Sequence, residues 1–462
     1  VMYACNFDNN QYGCFQDSVS STSNWTTFSY RILSWIATEG EQGYNDLMYR
    51  GYVRGIHNFL TYGWFKRGPC WEGMGKNQLG TEIAYLMARR GDNLIAHPHL
   101  LANVRDFVPH TILPWGGEYV AYDKLGGVRN VQGIGPLKAA FPNDKRIDCV
   151  YRNGAKYTLD LTHGVGARVD GWGNGALHTA MFLREPMEGN DDPSKLGLQE
   201  SFFGAQRGLM ITRSDWSKDA SYLHHHVRGA SGGHVYSDRN SIVFAGKGRI
   251  WFVNGPSSGA THQNSVVTID NKDIPAQNPA RMIDYRRTPF ATFSCGDAAP
   301  AYNWEYKSFN GHYGEYTLED ARNGKVKIPE GWEQNDFTFN DFSYEQEELS
   351  YLTTPYFTKP HWLSPGKIRG WVRRKSDFQV KKAFRTAGLV RGEFPYALIM
   401  DDYEVGDGQE HEYNWIARMK EDLTIHKVES YAVSATNGKR MPANRAKTSD
   451  HRFTDIYLTA ST

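Results

Sequence analysis

Apolar residues in the first 190 or so positions recur at steps of three and four, which is the spacing of one face of an α-helix. Three runs follow this spacing: Trp25, Phe28, Ile32, Leu33 and Ile36; Met48, Tyr52, Ile56, Phe59 and Leu60; and Leu79, Ile83, Leu86 and Met87. The third run ends at Gly91, after two arginines that suit the last turn of a helix. The pattern predicts several helices joined as α/α hairpins.

After about residue 205 the period of the pattern changes to two, which is the alternation of a β-strand. Short runs rich in β-branched and aromatic residues begin at Ser241, Arg249, Ser265, Lys367 and Tyr396, with Gly, Asn and Asp between them. Such spacing predicts an antiparallel β-sandwich. A polar stretch at 188–195 precedes the change. We therefore predict an α+β protein with two domains, a helical one over residues 1–195 and a β-sandwich over residues 196–462.

Composition narrows the class of function only a little. Of the 462 residues, 40% are apolar and 22% are charged, which suffices for a large buried core. Lys and Arg number 52 against 51 Asp and Glu, so the chain lacks the broad basic field of a nucleic-acid-binding protein. No stretch has the length and apolar character of a membrane span. The 14% aromatic content favours a carbohydrate ligand weakly, because flat rings suit stacking on sugars as well as core packing.

The segment from Arg213 to Asp270 holds the most specific motifs. It contains Arg213-Ser-Asp-Trp216, then Gly233-His234-Val-Tyr-Ser-Asp238-Arg-Asn-Ser241, and later His262-Gln-Asn264 before Asp270. In the order and spacing of several elements, this segment resembles the sheet domain of heparinase II/III-like polysaccharide lyases. Those proteins carry an R-x-x-W element, a G-H-x-x-x-D-x-x-S turn and a later H-N-x-x-x-x-D strand.

The helical part resembles the same lyases more loosely. Thr22-Ser-Asn24-Trp25 is similar to an element with an Asn at the start of a helix, and Trp71-Glu72-Gly73 is similar to an E-G turn before the next inner helix. Late elements, Pro355-Tyr-Phe, residues 400–403 and residues 410–413, also resemble family elements. The resemblance implies an incomplete (α/α) toroid followed by an antiparallel β-sandwich. Because such toroids hold more helices than this chain does, we expect further helices to precede Val1.

The resemblance implies a lyase that cleaves a uronic-acid-containing polysaccharide by β-elimination. This reaction needs a base for the C5 proton, an acid for the departing glycosidic oxygen, and donors that stabilise charge on the carboxyl group. The resemblance places the sheet-domain histidine of the family at His234, in the turn Gly232-Gly233-His234. The alternative is a histidine whose hydrogen bonds are satisfied within a β-turn. The reaction requires no cofactor, and we predict none.

Asn24 is the predicted neutraliser of the substrate carboxylate. Its amide donates hydrogen bonds without a charge, and it begins a predicted helix whose N-terminus favours an anion. An ordinary helix N-cap is the alternative. Asn24-Trp25-Thr26 also matches the N-glycosylation sequon, which is a short pattern with a high chance rate.

Tyr85 is the predicted proton donor. If residues 76–90 form one helix, Gln78, Glu82, Tyr85 and Arg89 lie on one face, opposite the apolar run. That face can line a polar groove with Arg89 near a uronate. A plain solvated helix face is the alternative.

The E-G turn departs from the family pattern. Relatives place a Tyr about three positions after it, whereas this chain reads Glu72-Gly73-Met74-Gly75-Lys76. Either Lys76 occupies that neighbourhood, or the acting tyrosine is another one, with Tyr119 and Tyr122 as candidates. The predicted substrate-binding residues of the helical domain are Trp71, Glu72, Lys76, Gln78, Arg89 and Tyr122.

We predict no metal ion. Some relatives hold a structural zinc in the sheet domain, and the three corresponding places here are Tyr236, Asn254 and His262. Two of these are poor ligands for zinc. A divalent cation bound by Asp238 and His262 is the alternative. The five cysteines are scattered and form no C-x-x-C pair. The triplet at 224–226 predicts a strand whose alternate histidines face opposite sides.

The expected partner is an anionic polysaccharide. The basic stretch from Lys367 to Arg385 either faces a polyanion or is a solvated strand face. Because a near-zero net charge argues against a heavily sulfated substrate, we expect an unsulfated polymer such as alginate, with heparin-type or other glycosaminoglycans as the alternative. Secretion or a periplasmic location is expected, since long glycans do not readily reach the cytosol. The sequence does not predict the oligomeric state.

Two other classes of function stay open. A non-catalytic protein that binds uronate polysaccharides is favoured by the missing Tyr after Gly73. A glycoside hydrolase needs two opposed carboxylates, and Glu72 with Glu118 or Asp123 are available for that arrangement.

Overall fold

The structure is a computed structural model of the chain. It describes residues 32–46, 49–50, 53, 56–57, 60, 81–115, 134–149, 193–204, 208–227, 237–254, 261–274, 280–308, 330–335, 371–419, 423–434, 436, 439–442 and 451–460. Among these residues, no helix is long and apolar enough to cross a membrane.

Helices dominate the described residues before position 150. Residues 32–37 and 145–149 are helical, and so are the described positions between 46 and 60. Helix α1 spans Thr81–Arg89 and buries Ile83 and Met87, as the three- and four-residue spacing predicts. It ends before Gly91, whose φ of +94° lies in the left-handed region that glycine adopts without strain.

The helices that follow α1 are short because two prolines interrupt them. A 3₁₀ turn at Leu94–Ala96 leads into α2 at Pro98–Leu101, a π-helical turn at Ala102–Asp106 and α3 at Val108–Thr111. Proline lacks a backbone N–H and therefore suits a first helical turn, which is where Pro98 and Pro109 lie. Helix α4 spans Ile134–Ala140.

The first sheet has five antiparallel strands in sequential order. They are β1 (Ser201–Gly204), β2 (Leu209–Arg213), β3 (Tyr222–His226), β4 (Ser241–Gly246) and β5 (Arg249–Phe252). A 3₁₀ turn at Pro193–Leu196 precedes them. Strands β4 and β5 confirm two of the runs predicted from the sequence.

The second large sheet has four antiparallel strands. They are β7 (Arg281–Arg287), β8 (Ala291–Asp297), β12 (Val380–Val390) and β13 (Tyr396–Val405), in the order β13-β12-β8-β7. The two sheets pack face to face through an inter-sheet core of Met210, Leu223 and Ile242 from the first sheet and Ala387 and Leu389 from the second.

The remaining described strands form three small antiparallel sheets. These are β10 (Glu333–Asn335), β11 (Trp371–Lys375) and β9 (Trp304–Ser308); β14 (Tyr413–Trp415) with β6 (Val267–Ile269); and β16 (Arg440–Pro442), β15 (Leu423–Val433) and β17 (His451–Ala460). Helix α5, at Ala299–Asn303, and a 3₁₀ turn at Thr261–Gln263 complete the described elements.

One hydrophobic core joins the helices to the first sheet. This helix–sheet core contains, among others, Ile83, Leu100, Phe107 and Leu137 from the helical part and Leu209, Ile211, Tyr222 and Val243 from β2 to β4. The first sheet therefore packs against the helices on one face and against the second sheet on the other. Helices followed by antiparallel sheets confirm the α+β class, while the toroid, the complete sandwich and the domain boundary at residue 195 stay predictions.

Candidate functional site

The three consecutive histidines of β3 lie on alternate faces of the first sheet. His225 faces the second sheet, where its Nδ1 lies 2.8 Å from Ser294 Oγ on β8. The rings of His224 and His226 stack on each other with their centroids 5.5 Å apart. They lie on the same face as Tyr222, which belongs to the helix–sheet core. The strand predicted from the triplet is confirmed.

Asp238 connects the end of β3 to the residues that precede β4. One carboxylate oxygen lies 3.5 Å from His226 Nδ1, at the end of β3, and the other lies 3.3 Å from Arg239 Nη1. The three side chains are at most 2% exposed. Residues 228–236, which include His234, lie outside the described residues, between Val227 and Ser237. Because the helix-facing His226 pairs with Asp238, the described residues on either side of this segment meet on the face of the first sheet that looks toward the helices.

Asn240 connects the returning end of this loop to the second sheet. Its φ of +59° lies in the left-handed region, which Asn tolerates better than most residues. Its amide donates to the carbonyl oxygens of Gly296 and Ala383, both at 3.1 Å. Its own carbonyl accepts a hydrogen bond of 2.8 Å from Arg385 Nη1. The loop base is therefore anchored in the protein interior and not at the surface.

The last element of the motif, Asp270, is held by His411. His411 Nδ1 lies 2.7 Å from Asp270 Oδ2, and its Nε2 lies 2.9 Å from Asp407 Oδ1. The backbone N–H of Glu412 donates to the other oxygen of Asp270 at 2.9 Å. The hydrogen bonds with Asp407 and Asp270 raise the pKa of His411, and the bond to His411 lowers the pKa of Asp270. His411 therefore joins the turn after β6 to the loop before β14.

Two other histidines are buried in their neutral form. Burial lowers the pKa of His225 to about 3, and the nearby Arg385 and His226 act in the same direction. Burial also lowers the pKa of His110 on α3 to about 3, with Arg213 adding to the effect. Neither imidazole is suited to proton exchange with a substrate near neutral pH.

Of the predicted catalytic residues, Tyr85 lies within the described part of the chain. It is half-buried on α1 and packs against the helix–sheet core. Arg89 is exposed in the last turn of the same helix, opposite the buried Ile83 and Met87. The other predicted site residues lie outside the described residues: Asn24, Trp71, Glu72, Lys76, Gln78, Tyr122 and His234. Their roles stay predictions.

The described residues that were considered as metal ligands make other contacts. Asn254 points an amide donor, Nδ2, at Ser241 Oγ at 2.8 Å. The side chain of His262 is 64% exposed and lies 3.9 Å from Asp273, while Asp238 is engaged by His226 and Arg239. Tyr236 lies outside the described residues. Within the described ranges, no group of three His, Cys, Asp or Glu side chains has the geometry to hold a metal ion.

The described part of the basic stretch is largely neutralised by acidic partners. Its ion pairs join Arg374 to Glu305, Lys381 to Glu404, Lys382 to Asp402 and Arg385 to Asp401. Arg385 is fully buried. These pairs favour the solvated strand face over a polyanion-binding face. Three of the four acidic partners lie on β13, the next strand along the chain, and Glu305 lies on β9.

Searches of known proteins give structural likeness only. No protein-family model matches the chain, and no curated protein matches its sequence. Among solved structures, a mutant of the heparan sulfate lyase HepC from Pedobacter heparinus is similar with a TM-score of 0.41 and 9% identity, over 82% of this chain and 66% of that one. A heparinase III with methylated lysines is similar with a TM-score of 0.40 and 10% identity, over 95% of this chain and 65% of that one. This chain thus spans just under two thirds of their length.

Proposed function

We propose that the chain is a polysaccharide lyase that cleaves a uronic-acid-containing polysaccharide by β-elimination. The observation that carries the proposal is the anchoring of the segment from Arg213 to Asp270. Among its described members, Arg213 and Asp238 form buried contacts, and the pair of Asp238 and His226 lies on the helix-facing side of the first sheet, four residues along the chain from His234. A histidine presented there can meet a sugar bound against the helical part.

His234 is the proposed sheet-side group for proton transfer. In β-elimination, a base removes the C5 proton, the electrons form a double bond between C4 and C5, and the bond from C4 to the glycosidic oxygen breaks. An acid then protonates the departing oxygen, and we assign this step to Tyr85 on α1. Asn24 is the proposed donor to the substrate carboxyl group, where negative charge develops during proton removal.

Substrate contacts are proposed for the helical part. Arg89 is exposed at the end of α1, four residues after Tyr85, so both can reach one polymer chain along the same helix face. The aromatic Trp71 and Tyr122 are suited to stacking on sugar rings. Three polar residues, Glu72, Lys76 and Gln78, complete the proposed set.

The polymer is the least constrained part of the proposal. The near-zero net charge favours an unsulfated uronate such as alginate, and the paired state of the basic stretch is consistent with that preference. The similar solved structures include heparan sulfate lyases. A heparan-type glycosaminoglycan is therefore the first substrate to test, and alginate the second. A secreted or periplasmic location follows from the size of either polymer.

The test is incubation of the purified chain with heparan sulfate, chondroitin-type glycosaminoglycans and alginate. An unsaturated uronate product, detected by its ultraviolet absorbance, supports the proposal. Cleavage that adds water without a new double bond identifies a glycoside hydrolase instead.

Binding without cleavage would identify the second candidate, a non-catalytic polysaccharide-binding protein. The observation that favours it is the sequence after Glu72-Gly73, where Met74-Gly75-Lys76 stands in the place of the tyrosine of relatives. Titration of each polymer by calorimetry, alongside the absorbance assay, separates this candidate from the lyase.

A further inference from the structure

Arg213 is a buried cation at the boundary between the helices and the first sheet. It ends β2 and is 1% exposed. Its Nη2 donates to two carbonyl oxygens of the helical part, His110 O at 3.0 Å and Ile112 O at 2.7 Å. Its guanidinium carbon lies 4.1 Å from the ring centroid of Trp216. The R-x-x-W element is thus a stacked pair that holds the end of α3.

No carboxylate among the described residues pairs with this guanidinium. The nearest acidic side chain along the chain, Asp215, accepts hydrogen bonds from Ser214 Oγ at 2.7 Å and from the backbone N–H of Ser217 at 2.6 Å. Burial lowers the pKa of Arg213 to about 10, so the side chain keeps its charge at neutral pH. A buried charge without a counter-ion is costly, and its carbonyl and aromatic contacts must offset that cost.

A second arginine extends the connection to the second sheet. The carbonyl oxygen of Arg213 accepts a hydrogen bond of 3.1 Å from Nε of Arg391. Nη2 of Arg391 donates to the hydroxyls of Ser201 and Thr212 in the first sheet, both at 2.9 Å, and to that of Thr292 in the second sheet at 2.8 Å. The side chain of Arg213 therefore joins the helices to the first sheet, and the side chain of Arg391 joins the first sheet to the second.

We propose that Arg213 is a positioning residue that fixes the helical part against the first sheet. In the register of β2 and β3, Arg213 lies opposite Tyr222, and Leu209 lies opposite His226 at the base of the His234 loop. The anchor and the loop base are thus at the two ends of one strand pair, four residues or about 13 Å apart. Loss of the anchor lets the helices shift relative to the loop base. The kinetic part of this inference rests on the proposed lyase function.

The experiment compares Arg213→Met and Arg213→Lys with two controls. Methionine fills much of the same volume without charge or donors, whereas lysine keeps the charge but not the planar group that stacks and bridges. Ile274→Ala removes apolar volume from a core that contains no residue of α1 to α4. It is used at a temperature where its unfolded fraction matches that of Arg213→Met. Arg286→Ala changes an exposed residue of β7.

Hydrogen exchange gives a readout that needs no substrate. We expect Arg213→Met to speed amide exchange in residues 107–115 by about tenfold or more relative to Ile274→Ala, because α3 loses its contact with β2. Amide exchange in Arg213→Lys should be faster than in wild type and slower than in Arg213→Met. The lysine variant also provides the test if the methionine variant does not fold. Equal exchange in Arg213→Met and Ile274→Ala, or unchanged exchange in both Arg213 variants, overturns the inference.

Steady-state kinetics test the consequence for catalysis. We expect kcat of Arg213→Met to fall by about a hundredfold with little change in KM, since misplacement across a cleft affects the transition state more than binding. Loss of activity in proportion to the folded fraction, as in Ile274→Ala, contradicts a positioning role. If wild type forms no product from any polymer, the proposed function fails, and the exchange result alone decides the role of Arg213.

Discussion

Asp401 and Asp402 are adjacent carboxylates on β13 that belong to very different ion pairs. Asp401 accepts two hydrogen bonds from Arg385, from Nε at 2.7 Å and from Nη2 at 3.0 Å. The side chain of Arg385 is 0% exposed and that of Asp401 is 18% exposed. Asp402 lies 3.3 Å from Lys382, and these side chains are 61% and 39% exposed. The pair of neighbours therefore allows the same substitution to be made at a buried and at an exposed ion pair.

We expect Asp401→Asn to lower the free energy of unfolding by about 3 kcal/mol, because it leaves the buried charge of Arg385 without its counter-ion. The loss stays at the lower end of the usual range, since Nη1 of Arg385 still donates to the carbonyl oxygens of Asn240 at 2.8 Å and Ser265 at 2.9 Å. Asp402→Asn should cost less than about 1 kcal/mol, because water screens an exposed pair.

Urea titrations of wild type and both variants at neutral pH, followed by circular dichroism, measure the two losses. Asp402→Asn is the matched control, since it makes the same chemical change one residue away on the opposite face of the strand. Equal losses at the two positions, or a larger loss for Asp402→Asn, would refute the reasoning that burial sets the strength of these pairs.

Two further predictions concern the interior of the sheet part. His225 has a pKa of about 3 in the folded chain, below its unfolded value, so the unfolded state binds more protons and stability falls as pH drops below about 6.5. Between roughly pH 6 and pH 4, His225 should make the free energy of unfolding fall by about 1.4 kcal/mol per pH unit, and His225→Gln should lack this contribution. If urea titrations show the same pH dependence of the unfolding free energy in wild type and His225→Gln, the prediction is contradicted. A Cβ at Gly296 would overlap Asn240 Oδ1 and Val227 Cγ2, so Gly296→Ala should lower the free energy of unfolding by about 1–3 kcal/mol, measured by thermal or urea unfolding. Gly406→Ala, whose added Cβ meets Lys381 Cβ at 3.7 Å, should stay within about 0.5 kcal/mol of wild type, and similar losses for both glycines would count against this packing argument.

Elements with a regular pattern were predictable from the sequence. The apolar run from Ser241 predicted strand β4, which alternates between two cores, with Val243 toward the helices and Ile242 toward the second sheet. Helix α1 follows from the spacing of Ile83 and Met87 and from Gly91 after its end. In each case the local pattern and the tertiary packing agree.

Strand β12 illustrates what the sequence concealed. Its basic residues read as a solvent-facing or polyanion-facing stretch, yet Arg385 points into the interior to meet Asp401, Asn240 and Ser265. Arg385 is accommodated in the core by a counter-ion on the neighbouring strand and by two carbonyl groups more than 100 residues away, and no local period reveals this combination. The same holds for the pair of His226 and Asp238 and for His411 with Asp270, which depend on turns that bring separate strands together.

The most direct test of the central claim compares wild type with His234→Ala on the polymer that wild type cleaves. We expect an unsaturated uronate product from wild type and from the surface control Arg286→Ala, and none from His234→Ala, with the same urea midpoint for all three. Unsaturated product formed at the wild-type rate by folded His234→Ala would contradict the role of this histidine. Absence of that product from wild type on every uronate polymer would contradict the lyase itself.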